Sequence, residues 1–174
     1  MIRHNPWIAT LIAILLPLNL LVVGCIEKAP SSRELPPIKR IAVWDMEDLS
    51  IDEQPYKDFG RLFSDEILKV LASYRDVEIV DREQLIRVLE ELNLGSSQLA
   101  DEAARLQLGK LAGANLMIFG SYQFIAGNWR IDLRLVDVET GRILKTATRN
   151  FINGDLNYIL SQINGATREL LSSV

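Results

Sequence analysis

The clearest candidate for chemistry in this sequence is Cys25, the only cysteine in the chain. It comes directly after Gly24 and an apolar run over residues 7–23, and Arg3 supplies a positive charge ahead of that run. A short basic region, an apolar core and a small residue before the cut are typical of a secretory signal peptide. The sequence therefore predicts a signal peptide over residues 1–24, with cleavage between Gly24 and Cys25.

The segment Leu21 to Cys25 resembles the lipobox of bacterial lipoproteins, in which the cysteine becomes the first residue and its thiol carries diacylglycerol. We therefore predict that Cys25 is lipidated. The alternative is an uncleaved transmembrane anchor, because the apolar run is just long enough to span a bilayer. Ile26 favours the periplasmic side of the outer membrane over the inner membrane, since enteric bacteria use an aspartate at this position for inner-membrane retention.

Residues 25–37 comprise the lipidated cysteine and a tether that is rich in proline, serine and charged residues. Twelve extended residues reach at most ~40 Å. The folded domain is therefore expected to stay close to the membrane that holds its lipid.

The mature chain would lack the side chains of the commonest catalytic and metal sites. Removal of residues 1–24 removes His4, the single histidine, and the thiol of Cys25 would be acylated. Histidine triads, cysteine nucleophiles and the usual zinc and copper sites are therefore excluded. The formal net charge of −4 disfavours a nucleic-acid partner. We predict a protein that is not an enzyme and that carries no cofactor or metal besides its covalent lipid.

Carboxylates are the remaining candidates for chemistry. An acidic loop after the first predicted strand would offer hard oxygen ligands to a divalent cation: Asp45, Glu47, Asp48, Asp52 and Glu53. The loop lacks the glycine and the ligand spacing of an EF-hand, so we favour a solvated loop. Glu90 and Glu91 are adjacent on a predicted helix and point in different directions, which does not make a facing catalytic pair.

Aromatic side chains would either form the wall of a ligand site or fill the core and an interface. The candidates are Trp44, Tyr122, Phe124 and Trp129. We favour the core or an interface, because large aromatic side chains dominate both. The alternative for Trp129, which directly follows a predicted turn, is a contact residue for a partner.

Apolar periodicity predicts the elements that position these residues. Strands are predicted over residues 39–44, 77–80, 116–125, 129–138 and 142–151. In the strand over residues 129–138, apolar and charged residues alternate, which predicts one buried and one solvent-exposed face: Trp129, Ile131, Leu133 and Leu135 against Arg130, Asp132 and Arg134. Helices are predicted over residues 56–73, after the cap Asp81, over residues 101–112 and from about Asp155 onward, and a tight turn is predicted at Gly127-Asn128. The order β-α-β-α-α-β-β-β-α predicts an α/β fold: one domain over residues 38–174, with helices packed on a mixed sheet of about five strands.

Three segments, in the same order along the chain, resemble a known family. They read VDREQL followed by VLEE (residues 80–91), LGKLAGANLMIFGS (residues 108–121) and LRLVDVETGRIL (residues 133–144). Together they resemble the periplasmic domain of the CsgG family, the lipoproteins of curli assembly and secretion, over roughly residues 40–150. The same domain type is similar to the N-terminal domain of TolB, the flagellar lipoprotein FlgO and the penicillin-binding-protein activator LpoB.

The marked residues of these segments have scaffold roles. Asp81 and Arg82 begin a helix directly after a strand, and Gly113 allows a helix to end close to the next strand. Gly120, inside a strand, permits a bulge or a close approach of backbone. Gly141 completes a hairpin turn. The resemblance therefore implies the fold more strongly than it implies a mechanism.

The resemblance implies a function by binding. We expect a non-enzymatic, lipid-anchored periplasmic protein that acts by protein–protein contact in cell-envelope assembly or export, as a CsgG-like accessory component. The alternatives are an LpoB-like regulator of peptidoglycan synthesis and an envelope adaptor similar to the TolB N-terminal domain or FlgO, and a carboxylate-based hydrolase is least favoured. The expected partners are the membrane, which the lipid contacts, and envelope proteins. Docking is expected through sheet edges and helix faces, and formation of a homo-oligomer is a further possibility.

Overall fold

The strands of the domain lie in one mixed sheet. The computed structural model describes residues 38–51, 59–92, 101–152 and 154–172. Within these ranges the strands are β1 (Lys39–Val43), β2 (Glu47–Asp48), β3 (Val77–Ile79), β4 (Leu116–Ile125), β5 (Asn128–Asp137) and β6 (Ile143–Ile152). The helices are α1 (Gly60–Leu71), α2 (Arg82–Glu91), α3 (Glu102–Leu111) and α4 (Leu156–Leu171).

The sheet has the order β3-β1-β4-β5-β6, and β2 pairs additionally with β4. β1 runs parallel to β3 and β4, whereas β4, β5 and β6 form an antiparallel meander. This confirms the predicted α/β fold with a mixed sheet. The short strand β2 was not predicted: the chain bends after β1 and then runs beside the second half of β4, with Glu47 opposite Ser121.

The first half of β4 and residues 41–43 of β1 are buried on both faces of the sheet. Ile41, Val43 and Ile118 belong to one apolar core, whereas Ala42 and Met117 belong to another. Strands that are covered on both sides read as continuous apolar runs, which is why β1 and β4 show no alternation in the sequence.

Helices α1 and α4 cover one face along the width of the sheet. Phe63 and Ile67 of α1 and Ile159 and Ile163 of α4 are completely buried in this core. They pack against the apolar side of the meander, which presents Trp129, Ile131, Leu133 and Leu135. The alternation predicted for β5 is therefore confirmed, with its apolar side under α1 and α4.

Helices α2 and α3 cover only part of the other face. Leu85 of α2 and Leu108 of α3 pack with Met117 of β4 and Val136 of β5. Aspartates fix the beginning of both helices: the Asp81 carboxylate accepts a hydrogen bond from the Glu83 N–H at 3.1 Å, and Asp101 caps α3 in the same way. These side chains satisfy backbone donors that have no partner inside the helix.

The hairpin between β4 and β5 turns one residue earlier than predicted. Ala126 and Gly127 both have positive φ, at 49° and 81°, and Asn128 is already the first residue of β5. Two central residues with positive φ make the turn whose twist matches that of the strands. The Asn128 side chain donates a hydrogen bond to the Ala126 carbonyl at 3.1 Å, which explains why Asn128 read as a turn residue.

Three glycines of the marked segments occupy positions that restrict side chains. Gly113 after α3 and Gly141 in the β5–β6 turn have φ values of 83° and 68°, which L-residues with a side chain rarely adopt. Gly120 is closely packed on the face that α1 and α4 cover: a Cβ there would come within 2.8 Å of side-chain atoms of Leu133 and Met46. The irregularity of the sheet lies elsewhere, between Leu135 and Val136 of β5.

Candidate functional site

One side of the meander has no helix over it among the described residues. We call this surface the open face, and it comprises the outward side chains of β2 and of the second half of β4, together with those of β5 and β6. Its members are Glu47, Leu49, Phe119, Ser121, Gln123, Arg130, Asp132, Arg134, Thr146, Thr148 and Asn150. Because side chains alternate along a strand, the open face is the reverse of the apolar side that α1 and α4 bury.

The centre of the open face is a hydrogen-bonded group on neighbouring strands. Arg130 donates to Asp132 through Nε at 2.6 Å and through Nη2 at 3.1 Å, along the same strand. Thr148 of β6, directly opposite Asp132, donates its hydroxyl proton to Asp132 Oδ1 at 2.7 Å. These contacts fix the Asp132 carboxylate on a rigid strand and leave it facing outward.

The ionisation of this group follows from its contacts. Partial burial alone would raise the pKa of Asp132, but the hydrogen bonds from Arg130 and Thr148 outweigh it, and the pKa lies below its ordinary value. The hydrogen bond to Asp132 raises the pKa of the Arg130 guanidinium. Both groups are therefore charged at neutral pH.

The first turn of α3 adds a second set of ion pairs at the margin of the open face. Glu102 Oε2 lies 2.7 Å from Nη2 of Arg134. Arg105 pairs with Glu47 of β2, so this contact joins α3 to the strand that the sequence did not predict. Asp101 caps the start of α3, and Glu102 and Arg105 in its first turns reach Arg134 and Glu47 at the margin of the open face.

Aromatic rings support these arginines. The Arg105 guanidinium lies 5.5 Å from the centroid of the Trp44 ring, and that of Arg134 lies 5.4 Å from the Phe119 ring. A guanidinium over an aromatic face is held by the ring quadrupole and loses less on burial than an unsupported one. The arginines are thus pre-ordered by contacts within the chain.

The surface between α3 and the meander is a cleft of about 430 Å³. Trp44, Arg105 and Phe119 form one wall, and Asp132 and Thr148 belong to its floor. Nε of Arg134 is buried and has no hydrogen-bond partner among the described residues. A buried donor without a partner costs free energy.

A smaller groove lies where β1 and β3 end. Arg82 and Asp45 form a two-point ion pair there, with Nη2 to Oδ2 at 2.6 Å, and the hydrogen bond to Asp45 raises the pKa of Arg82. Ile86 and Leu89 of α2 also line the groove. The carboxyl ends of parallel strands are frequent ligand positions, but this groove holds only about 70 Å³.

The structure separates the residues of the predicted acidic loop. Asp45 pairs with Arg82 and Glu47 with Arg105, while Asp48 accepts a hydrogen bond from the Ser50 N–H at 2.9 Å. Asp52 and Glu53 lie outside the described residues, as do Gly24 and Cys25. Among the residues that the structure describes, no cluster of histidine, cysteine, aspartate or glutamate has the geometry to hold a metal ion.

The aromatic candidates divide between core and surface. Tyr122 and Trp129 are 1% and 2% exposed, and Tyr122 packs edge-on against Phe63 of α1. Trp129 stacks on Phe151, so it does not present a contact surface to a partner. Trp44 is half-buried beneath Arg105 and belongs to the cleft. Glu90 and Glu91 are exposed on α2, away from the residues that line the cleft.

The sequence indicated only part of this site. The alternation of β5 identified Arg130, Asp132 and Arg134 as its wet side. The contributions of α3 and β2 were missed, because Arg105 and Glu47 are 58 residues apart. The available signal was Asp101: as a helix cap, it predicts that a helix begins at Glu102 and that Arg105 lies in its first turns.

Within the described ranges, no helix has both the length and the apolar character needed to cross a membrane.

Comparisons with known proteins concern both sequence and fold. The family model described as the curli production assembly/transport component CsgG matches residues 30–124. No curated protein matches the sequence significantly.

Solved structures include envelope proteins with the same fold. The LpoB C-terminal domain from Salmonella enterica is 14% identical with a TM-score of 0.58, and the match covers 70% of this chain and 87% of that one. The LpoB C-terminal domain from Escherichia coli is 14% identical with a TM-score of 0.57, covering 67% and 84%. Lipoprotein GNA1162 from Neisseria meningitidis is 13% identical with a TM-score of 0.53, covering 78% and 98%. At these identities the likeness shows the fold alone.

Proposed function

Because the chain belongs to the CsgG family, we propose that it is a non-enzymatic, lipid-anchored protein on the periplasmic side of the outer membrane. It acts by protein–protein contact in cell-envelope assembly or export, as an accessory component. The observation that carries this proposal is the open face: a side of the meander that no helix of the described residues covers, with ordered charges of both signs and a cleft beside it.

The chemistry of the open face suits binding. Arginine and aromatic side chains are enriched in protein interfaces, and Arg105 and Arg134 are already held over Trp44 and Phe119. Side chains that are ordered before binding lose less conformational entropy when a partner arrives. The paired charges give the surface a fixed electrostatic pattern, which selects a complementary partner and accelerates the encounter.

The same groups are poorly suited to acid–base catalysis. A catalytic carboxyl group needs a pKa raised toward neutral pH. The pKa of Asp132 is instead lowered, because its hydrogen bonds with Arg130 and Thr148 outweigh its partial burial. Asp132 therefore stays ionised at neutral pH and would serve as a hydrogen-bond acceptor.

The proposed anchor is tested by metabolic labelling with radioactive palmitate. We expect label in the wild-type chain and none in the Cys25→Ala variant, which should also leave the membrane fraction. Label that survives the Cys25→Ala substitution would contradict lipidation at this residue.

The proposed class of partner is tested by chemical crosslinking of the wild-type protein in cells, followed by mass spectrometry. We expect crosslinked components of an envelope assembly or export system. A peptidoglycan synthase as the dominant crosslinked protein would instead favour the LpoB-like alternative. Conversion of a substrate by the purified protein, lost in a Glu90→Gln variant, would contradict a non-enzymatic role.

A further inference from the structure

The strand β6 forms one edge of the sheet. It extends over ten residues, Ile143–Ile152, and pairs on its inner side with β5 from Ile143 opposite Val136 to Ile152 opposite Asn128. In the part of the chain that the structure describes, no strand lies on its outer side. Backbone N–H and C=O groups point alternately to both sides of a strand, so the outer row of β6 is a template for a further strand. One acceptor of this row, the Thr148 carbonyl, already accepts from Nη1 of Arg149 at 3.0 Å, and an added strand would replace that donor.

This edge differs from the opposite one. The other edge strand, β3, has only three residues, which is a common protection against unwanted pairing. β6 is long, contains no proline and ends at exposed aliphatic residues, with Ile152 exposed to 71%. Its length and its exposed ends would accommodate an extended segment of another chain.

The charge of β6 restricts which segment fits. Residues 142–152 contain Arg142, Lys145 and Arg149 and no acidic residue, although the whole chain has a formal net charge of −4. Lys145 and Arg149 lie on the side of β6 that faces α4: Arg149 is 2.8 Å from Glu169, and Lys145 donates to the Ser172 hydroxyl at 3.0 Å. Contacts with the end of α4 thus hold two basic groups four residues apart along the edge.

We propose that the outer edge of β6 binds an extended acidic segment of a partner protein, which joins the sheet as an additional strand. The segment would carry two carboxylates four residues apart, next to Lys145 and Arg149. Its other side would carry small polar or β-branched residues next to Thr146, Thr148 and Asn150. The inference rests on the proposed function because both require a protein partner, but it concerns the edge of β6 and not the charges of the open face.

A second copy of the chain fits this edge less well. Pairing of β6 with another β6 would bring the basic side chains of both strands, Lys145 and Arg149, close to one another. Like charges on neighbouring strands destabilise the pairing. The edge therefore favours an acidic partner over self-association.

The test uses the full-length protein in detergent and a synthetic extended peptide with two glutamates four residues apart, separated by valine and threonine. Two further peptides of the same sequence carry N-methyl groups on alternate amides, one on each edge of the peptide. N-methylation removes donors from one edge only, so we expect one methylated peptide to bind like the parent and the other to bind at least roughly tenfold more weakly. Equal binding of both methylated peptides, or no binding of the parent, would overturn strand addition.

Charge selection is tested with a charge reversal on β6. Lys145→Glu combined with Arg149→Glu should weaken binding of the glutamate peptide and favour a lysine peptide of the same pattern. Arg61→Glu combined with Arg87→Glu makes the same change in net charge on exposed positions of α1 and α2, and should leave binding unchanged. An equal loss of peptide binding in both double variants would contradict recognition by β6. Self-association of the wild-type protein that the charge reversal on β6 abolishes would also contradict it. Crosslinks to the open face without peptide binding would contradict this inference and leave the proposed function intact.

Discussion

At the scale of single residues, the close approach of neighbouring side chains explains why position 120, in one of the three segments that resemble the CsgG family, is a glycine. Gly120 lies in β4 between Leu133 of the next strand and Met46 after β1, and a Cβ there would come within 2.8 Å of both. Contact at that distance requires side-chain atoms of both neighbours to move, on the face of the sheet that α1 and α4 cover. The glycine thus allows the bend after β1 to pack directly against β4.

The Gly120→Ala substitution is therefore expected to destabilise the domain by about 1–3 kcal/mol, the usual cost of overpacking a core. Gly165→Ala is the matched control, because the nearest atom to its Cβ would be 3.7 Å away and alanine favours a helix by up to about 1 kcal/mol. The measurement is denaturant unfolding of both variants. A Gly120→Ala protein as stable as the wild type would contradict the close packing at this position.

The hydrogen bonds of Asp132 predict a dependence of stability on pH. Its pKa is lowered in the folded state, since the bonds from Arg130 and Thr148 outweigh its burial, so its stabilising contribution is present above the unfolded pKa of about 4. The contribution is lost as the pH falls through the lower folded pKa, because protonation removes the charge that Arg130 and Thr148 contact.

We expect the stability difference between the wild type and the Asp132→Asn variant to be largest near neutral pH and to shrink as the pH falls below about 4. The measurement is the unfolding free energy of both proteins from denaturant curves at several pH values. A difference that is constant down to acid pH would contradict the lowered pKa of Asp132.

At the scale of elements, α3 connects the covered and the open parts of the sheet. Leu108 of α3 is buried against the sheet, whereas Glu102 and Arg105 in its first turns pair with Arg134 and Glu47 on the open face. The position of the helix therefore determines whether these ion pairs can form. The start of the helix depends on the cap by Asp101, whose carboxylate accepts from the Ala103 N–H at 3.1 Å.

Asp101→Ala should cost about 1 kcal/mol of stability, the usual effect of losing a helix cap, while Asp101→Ser should retain most of it. We also expect faster amide hydrogen exchange in the first turns of α3 in the alanine variant, because the N-terminal donors lose a partner. Unchanged exchange in α3 would show that the cap does not order this turn.

The elements themselves could largely be predicted from the sequence, because they depend on local signals. The residues of β4 were predicted without error, and Asp81 and Asp155 lie directly before helices, as their sequence context indicated. The turn before β5 was misplaced by one residue, because Asn128 is a turn former that here contacts the turn from the first position of the strand. The local sequence therefore indicates that a turn is present more reliably than it indicates which residues form the turn.

The open face could not be predicted beyond the polar side of β5. Its contacts join residues far apart in the chain: Arg105 is 58 residues from Glu47, and Arg134 is 32 residues from Glu102. Such pairs depend on the order and register of the strands, and neither can be inferred from the periodicity of a single segment. The strand β2 was missed for the same reason, since two polar residues carry no apolar pattern and their pairing with β4 alone makes them a strand.

At the scale of the whole molecule, the two faces of the sheet are covered to different extents. α1 and α4 bury one face across the meander, while α2 and α3 cover the other face over β1, the first half of β4 and neighbouring residues. The uncovered part is polar, so it costs little when exposed to water, and it is held rigid by the buried reverse side of the same strands. A protein with a surface of this kind can remain monomeric in solution and still bind a complementary partner.

The central claim, that this protein acts by contact through the open face, is tested most directly by site-specific photocrosslinking in living cells. A photoreactive residue is placed at Thr148 on the open face and, in a matched control, at Arg61 on the exposed side of α1. We predict a protein adduct from position 148 that weakens when Arg134→Glu is introduced, and none from position 61. Adducts from position 61 alone, or an adduct from position 148 that is unaffected by Arg134→Glu, would contradict the account.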